Sequence, residues 1–310
     1  MSIFLDFDGT ITTADTVSEL AAFALRHQRV RRAEGGADGD DDDDDDSGEG
    51  RGDLKARWDD VVRQYLEDLK AHSTSYVPRA EERLTPELEV AYLRAGKDVE
   101  MRSLERIGAC GIFRGIDGEQ FQEAGREVVR EGRVRLRKGF GEFVKKRLDK
   151  GWRIYVISVN WSARFIEGAC GFGDGKVEVI ANEVDGDGTI NGPEILNPKT
   201  RLPRRESDEE RGRDKTHRNL TNSRDKLDVM EAIIKRDGLS HEPTLYFGDS
   251  TTDLECLFKA TTGVIIADDV DSSLLQTARR LGEVFPRVHE PEARAGLHWA
   301  ADFDEVLKSC

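Results

Sequence analysis

Two hydrophobic patterns alternate along the chain. Short apolar runs bounded by glycine or charge occur at Ser2–Asp8, Trp152–Asn160 ("WRIYVISVN"), Thr244–Ser250 ("TLYFGDS") and Thr262–Ala267 ("TGVIIA"). Runs of this length and composition read as buried strands. "VEVIANEV" and "GTINGPEI", joined by the turn-rich "DGDG", predict two further strands, and "EVFPRV" (Glu283–Val288) predicts the last. Elsewhere the period is helical. Val17, Leu20, Ala21, Phe23 and Ala24 share one side of a helix expected over Thr16–His27. From Leu54 to Leu148 the pattern is helical throughout, with a start at Thr85 and Pro86 and further helices over Phe121–Val134 and Phe140–Leu148. Lys226 begins an amphipathic helix carrying Leu227, Met230, Ile233 and Ile234.

Strands alternating with helices predict an α/β fold: a Rossmann-like, three-layer domain with a parallel sheet and an inserted helical cap. The expected core is 1–14 plus 150–310, with the insertion over 15–149. Arg31–Gly52 is expected to be disordered, and 198–223 is expected to be a long polar surface loop.

Composition narrows the picture. The 310 residues carry a formal net charge of −15. Ten acidic and no basic residues lie between Ala33 and Gly50, so the rest of the chain stands at −5. That segment reads as a solvated insertion. Basic residues are scattered among acids, which argues against nucleic acid as a partner. No apolar run is long enough to span a bilayer, and Asp6 and Asp8 arrive too early for a leader peptide. The cysteines (Cys110, Cys170, Cys256, Cys310) lack paired spacing and read as reduced thiols. The expectation is a cytoplasmic protein, with a nuclear location also open.

The candidate chemistry lies at strand ends. In an open parallel sheet, ligands collect beyond the carboxyl ends of the strands. Asp6 and Asp8 end the first run, Ser158 the second and Asp249 the third, and Asp253 follows Asp249 by one helical turn. Like charges gathered there raise one another's pKa, and a divalent cation resolves the conflict. Few protein oxygens and a phosphate partner suit Mg²⁺. Gly9 permits a sharp turn that faces backbone N–H groups toward an anion. Ser158 supplies a hydroxyl and Lys226 a positive charge. A carboxylate beside a phosphoryl group is a candidate nucleophile.

"DFDGTIT" (Asp6–Thr12), "VISVN" with Ser158, Lys226, and "GDSTTD" (Gly248–Asp253) together resemble the four ordered motifs of haloacid dehalogenase superfamily phosphatases. The resemblance extends over nearly the whole chain apart from Arg31–Gly52 and Pro198–Ser223. The helical block resembles the small (C1-type) cap of phosphoserine phosphatase-like members. "SVNWSARFI" and "YFGDSTTDLECL" are similar to the phosphatase half of plant thiamine monophosphate phosphatase, to methionine-salvage phosphatases and to uncharacterised fungal members.

The resemblance implies a phosphoric monoester hydrolase acting on a small phosphorylated metabolite. Asp6 would be the nucleophile. Asp8 would be the general acid and then base, its backbone carbonyl also touching the metal. Asp249 would ligate Mg²⁺, and Asp253 would ligate it or hold a metal-bound water. Thr10, Ser158 and Lys226 would bind phosphoryl oxygens. Thiamine monophosphate, phosphoserine and a methionine-salvage sugar-like phosphate are the substrate alternatives. "RDK" occurs at both Arg213–Lys215 and Arg224–Lys226, and the helical pattern after the second favours Lys226. Thr12 could be a loop cap, Ser250 a helix cap, and Asp15 a cap or a substrate contact. Asn160 and Asn182 have no decided role. Two other classes compete: a catalytically weak protein that uses this fold as a binding scaffold, and a phospho-accepting receiver module. A receiver would lack both the D-x-D-G-T loop and the helical insertion.

Overall fold

The computed structural model describes residues 1–35, 53–197, 218–290 and 296–309. Eight strands are formed: β1 (Ser2–Leu5), β2 (Arg153–Ile157), β3 (Val177–Ile180), β4 (Glu183–Val184), β5 (Ile190–Asn191), β6 (Thr244–Gly248), β7 (Thr262–Ile266) and β8 (Leu297–Ala300). Six of them make a parallel sheet in the order β3-β2-β1-β6-β7-β8, while β4 and β5 pair as a separate antiparallel hairpin. The helices are α1 (Val17–Gly35), α2 (Leu54–Ser75), α3 (Pro86–Ala95), α4 (Lys97–Cys110), α5 (Gly118–Arg130) and α6 (Phe140–Asp149), then α7 (Ala163–Cys170), α8 (Ser223–Arg236), α9 (Leu254–Lys259), α10 (Ser273–Arg280) and α11 (Phe303–Lys308).

The period of two along the strands sorts side chains into two cores. Ile3, Leu5, Ile154, Val156 and Phe247 face one layer, built on α1, α5, α6, α7 and α11. Phe4, Tyr155, Ile157 and Tyr246 face the other, built on α8, α9 and α10. The α/β class and the parallel sheet expected from the pattern are therefore observed. No helix among the described residues is long and apolar enough to cross a membrane.

Local signals explain the helix ends. Thr85 caps α3, accepting from the Leu88 N–H, and Pro86 occupies the first turn. Asp117 and Gln120 form a capping box at the start of α5. Gly111, at φ +73°, ends α4 in the left-handed conformation.

Several expectations are corrected. The first strand stops at Leu5, and Asp6–Asp8 lie in the loop after it. Helix α1 continues to Gly35, into the stretch expected to be disordered, because Gln28 reaches the Ile112 and Arg114 carbonyls and anchors the helix. The remainder of that expectation, including the acidic run, lies outside the described residues, as does Lys215. Helix α6, expected in the insertion, packs on the sheet: Phe143 meets Phe247 at 5.4 Å and Phe303 at 5.0 Å. The expected loop 198–223 ends early, since Asn219–Asn222 are buried and Asn222 caps α8, four residues before Lys226. "EVFPRV" is not a sheet strand. Pro286 has no N–H to give, and the edge strand is β8 instead, with Trp299 N–H donating to the Pro286 carbonyl.

Candidate active site

Strands β2, β1 and β6 are neighbours in register, with Leu5 opposite both Val156 and Phe247. The chain reverses its direction of crossover here, which opens a crevice at the carboxyl ends. Asp6 leaves β1 with its N–H bonded to the Phe247 carbonyl, and Ser158 leaves β2 with its N–H on Ile180. Both are buried.

Lys226 is fully buried, one turn into α8. Its Nζ lies 2.7 Å from Asp6 Oδ1 and 2.7 Å from Asp253 Oδ1. Burial pulls its pKa down, but the charges of Asp253 and Asp6 more than offset this and hold the ammonium protonated. Asp253 is also filled by other donors. Tyr246 donates to Oδ1 at 2.7 Å, and the Asp249 and Ser250 N–H groups and the Ser250 hydroxyl reach Oδ2. Ser250 and Asp253 make a capping box, so Ser250 acts as the helix cap expected of it.

Asp6, Asp249 and Asp253 each offer an oxygen within 4.8 Å of the others. Three carboxylates face one ammonium. Burial, and next the Asp253 charge, push the Asp6 carboxyl well above its usual range, and the same two causes lift Asp249 to about 7. Asp6 Oδ1 is buried without an aligned hydrogen-bond donor. Hard oxygen donors and surplus negative charge fit a Mg²⁺ ion. Asp6 and Asp249 are the better ligands, because the Asp253 oxygens already have partners.

Asp8 stands apart from this group. Its Oδ1 accepts from the Thr16 N–H at 2.7 Å and its Oδ2 from Asn160 Nδ2 at 2.9 Å. As a metal-ligating side chain, Asp8 is therefore not brought into the cluster. Burial, and next the charge of Asp15, raise its pKa to about 6. Thr10 donates to Asp249 Oδ1 at 3.0 Å. Ser158 Oγ accepts from the Asn160 N–H at 3.1 Å, which leaves its own proton for another acceptor.

The loop after β1 is tightly held. Gly9 has φ +75°, and a Cβ there would lie 2.1 Å from Asp249 Oδ2. Thr12 is a loop cap: its hydroxyl accepts from the Gly9 N–H and donates to the Ala14 carbonyl. Asp15 caps α1 through the Val17 N–H. Asn182 stitches two loops, donating to the Val159, Asn160 and Leu220 carbonyls and accepting from the Leu220 N–H.

Arg137 was not identified from the sequence. Its buried guanidinium donates to the Gly9 carbonyl at 3.0 and 2.8 Å, to Asp268 at 2.6 Å and to the Ala301 carbonyl at 3.2 Å. It ties the loop bearing Asp6 and Asp8 to the ends of β7 and β8. Asn160 was noticed only for its position, and its contact with Asp8 gives it a role in setting that acid.

No protein-family model matches the chain. It is 25% identical over 286 residues to the mitochondrial bifunctional TH2 protein of Arabidopsis thaliana, covering 91% of this chain but 42% of that protein. It is 27% identical over 279 residues to a CTO1 family protein of Schizosaccharomyces pombe, covering 83% and 78% of the two chains. A solved Bordetella pertussis protein of unknown function aligns at TM-score 0.50 and 16% identity, covering 91% of this chain and 96% of that one. A phosphoserine phosphatase solved as a phospho-aspartyl intermediate analogue aligns at TM-score 0.45 and 16% identity, covering 99% and 96%. The likeness to the solved Bordetella protein is one of fold, the six-stranded parallel sheet with flanking helices.

Proposed function

We propose that the chain is a Mg²⁺-dependent phosphatase that hydrolyses a phosphomonoester through a phosphoryl-aspartate at Asp6. The observation that carries this is the meeting of Asp6, Asp249, Asp253 and Lys226 in one cluster, with Asp8, its pKa raised to about 6, beside it.

Asp6 and Asp249 would hold the ion. When bound, it supplies positive charge that screens the Asp6 carboxylate from the incoming phosphoryl group. An Asp6 oxygen forms the bond to phosphorus as the bond from phosphorus to the alcohol oxygen breaks. Asp8 gives its proton to that leaving oxygen. In the second step Asp8, now a carboxylate, takes a proton from water as the water oxygen attacks phosphorus. Inorganic phosphate leaves and Asp6 is restored. Lys226 stabilises charge on the transferring group, where most catalysis of phosphoryl transfer lies. The Ser158 hydroxyl meets a phosphoryl oxygen, and Thr10, which donates to Asp249 here, would meet another by turning from it.

The test is turnover of p-nitrophenyl phosphate with Mg²⁺ by the full chain. Asp6→Asn keeps the shape and removes the attacking charge, so turnover falls by more than about 10³-fold with the circular dichroism unchanged. Acid-quenched wild type carries a phosphoryl adduct on the peptide containing Asp6. Turnover near wild type in Asp6→Asn would place the nucleophile elsewhere. Complete absence of turnover in the wild type would favour a binding scaffold.

A further inference from the structure

A cavity of about 640 Å³ opens between α1, α2 and α4. Ala22, Trp58, Val62, Leu104 and Trp161 line its walls. Trp58 and Trp161 meet edge to face, 6.1 Å apart. Val159, which lies between Ser158 and Asn160, the donor to Asp8, also lines it. The cavity thus borders the loop that carries Ser158 and Asn160. A volume of this order suits a ring-bearing molecule, and a short polar alcohol would leave most of it empty.

Two of its three charged residues are acids, and its other polar groups are hydroxyls. Glu100 projects from α4 and accepts from the Tyr65 hydroxyl at 3.0 Å. No cation pairs with Glu100 among the described residues, and burial raises its pKa. Lys55 at the rim is turned to Asp59, 2.5 Å away. Asp15 adds a second carboxylate. Two acids without a basic partner, set among aromatic walls, match a ring that brings its own donor or positive charge.

We propose, building on the phosphatase reading above, that this cavity takes the alcohol half of the substrate. We infer further that this half is an aromatic ring bearing a basic or N–H donor group that meets Glu100. Glu100 and Tyr65 are then the residues that select the substrate.

The test compares kcat/KM of the full chain with Mg²⁺ on three probes whose alcohols are similarly acidic: ethyl phosphate, benzyl phosphate and 3-(aminomethyl)benzyl phosphate. The expected order is aminomethylbenzyl, benzyl, ethyl, with about tenfold at each step, the worth of one modest contact. Glu100→Gln should collapse the preference for aminomethylbenzyl over benzyl. Val62→Trp, at a half-exposed position on the wall, should collapse the preference for benzyl over ethyl. Separately, 3-(aminomethyl)benzyl alcohol should change the fluorescence of Trp58 and Trp161 in wild type and not in Val62→Trp.

Saturable alcohol binding with no turnover of any probe would support the cavity assignment and overturn the phosphatase reading. Equal kcat/KM on all three probes, with no fluorescence change, would overturn the cavity assignment and leave the phosphatase reading standing. Unchanged selectivity in Glu100→Gln would overturn the role given to Glu100.

Discussion

At the scale of single residues, Asp6 and Asp8 are two positions apart and have opposite surroundings. Asp6 faces Lys226, while Asp8 faces amide donors and the charge of Asp15. With its pKa at about 6, Asp8 must be protonated to release the alcohol, so kcat/KM should fall as pH rises through that value. Asp15→Asn removes a charge that holds the proton on, and it should move this limb to lower pH. Loss of the Asn160 donor should move it higher. pH profiles of kcat/KM for the two variants read both signs, and a limb that stays in place in both would remove Asp8 from the acid role. The same shift affects stability. The folded chain keeps a proton that the unfolded chain releases above 3.8, so Asp8 costs stability as pH rises from there to about 6. Asp6, Asp8 and Asp249 were legible in the sequence because each follows a strongly apolar run. Arg137 was not: it is one of three arginines at alternate positions, with Arg133 and Arg135, and its target carbonyl at Gly9 is 128 residues away.

At the scale of elements, the packing of α5 on α7 depends on two glycines. A Cβ on Gly125 would lie 2.1 Å from the Phe165 carbonyl oxygen, and one on Gly168 would lie 1.9 Å from that of Gln122. The helices touch backbone to backbone. Gly168→Ala sets two effects against each other. Alanine favours a helix by about 1 kcal/mol. The clash is with backbone, which cannot step aside, so overpacking should win by about 1–3 kcal/mol. The urea midpoint should therefore fall, and a rise would mean that the helices are less closely packed than described. Element type was legible where the period was clear. The strands at the centre, buried on both faces, read as continuous apolar runs. Edge strand β8 was missed because "LHWA" is four residues long with a histidine inside, while "EVFPRV" beside it has the stronger apolar pattern. The turn between β4 and β5 was legible through "DGDG", but "VEVIANEV", expected as one strand, divides into β3 of the parallel sheet and β4 of the hairpin.

At the scale of the molecule, the site is held apart from its charges' preferred state. On the proposed reading, three carboxylates against one lysine would make Mg²⁺ a stabilising ligand, worth about 2.7 kcal/mol at a hundredfold excess over Kd. The melting temperature should rise with Mg²⁺. Asp249→Asn should cross over: it removes a charge whose pKa is pushed to about 7, so the metal-free variant melts higher than metal-free wild type. It should also lose the response to Mg²⁺. Thermal melts with and without the ion check this, and a variant that still responds would take Asp249 out of the ligand set.

The way the helical insertion is joined to the sheet differs along its length. Helix α5 is fused to the core through Gly125 and Gly168, whereas α3 and α4 reach α8 and α9 through side-chain ion pairs, Arg94 to Glu255 and Lys97 to Asp225 at 2.6 Å. Val90 and Leu93 of α3 also pack on the second core, so this part of the insertion is held by side chains where α5 is held by backbone contact. A graft that exchanged residues 53–110 would carry Trp58, Tyr65 and Glu100 to a new scaffold or bring their replacements here, while the machinery at Asp6 stayed in place.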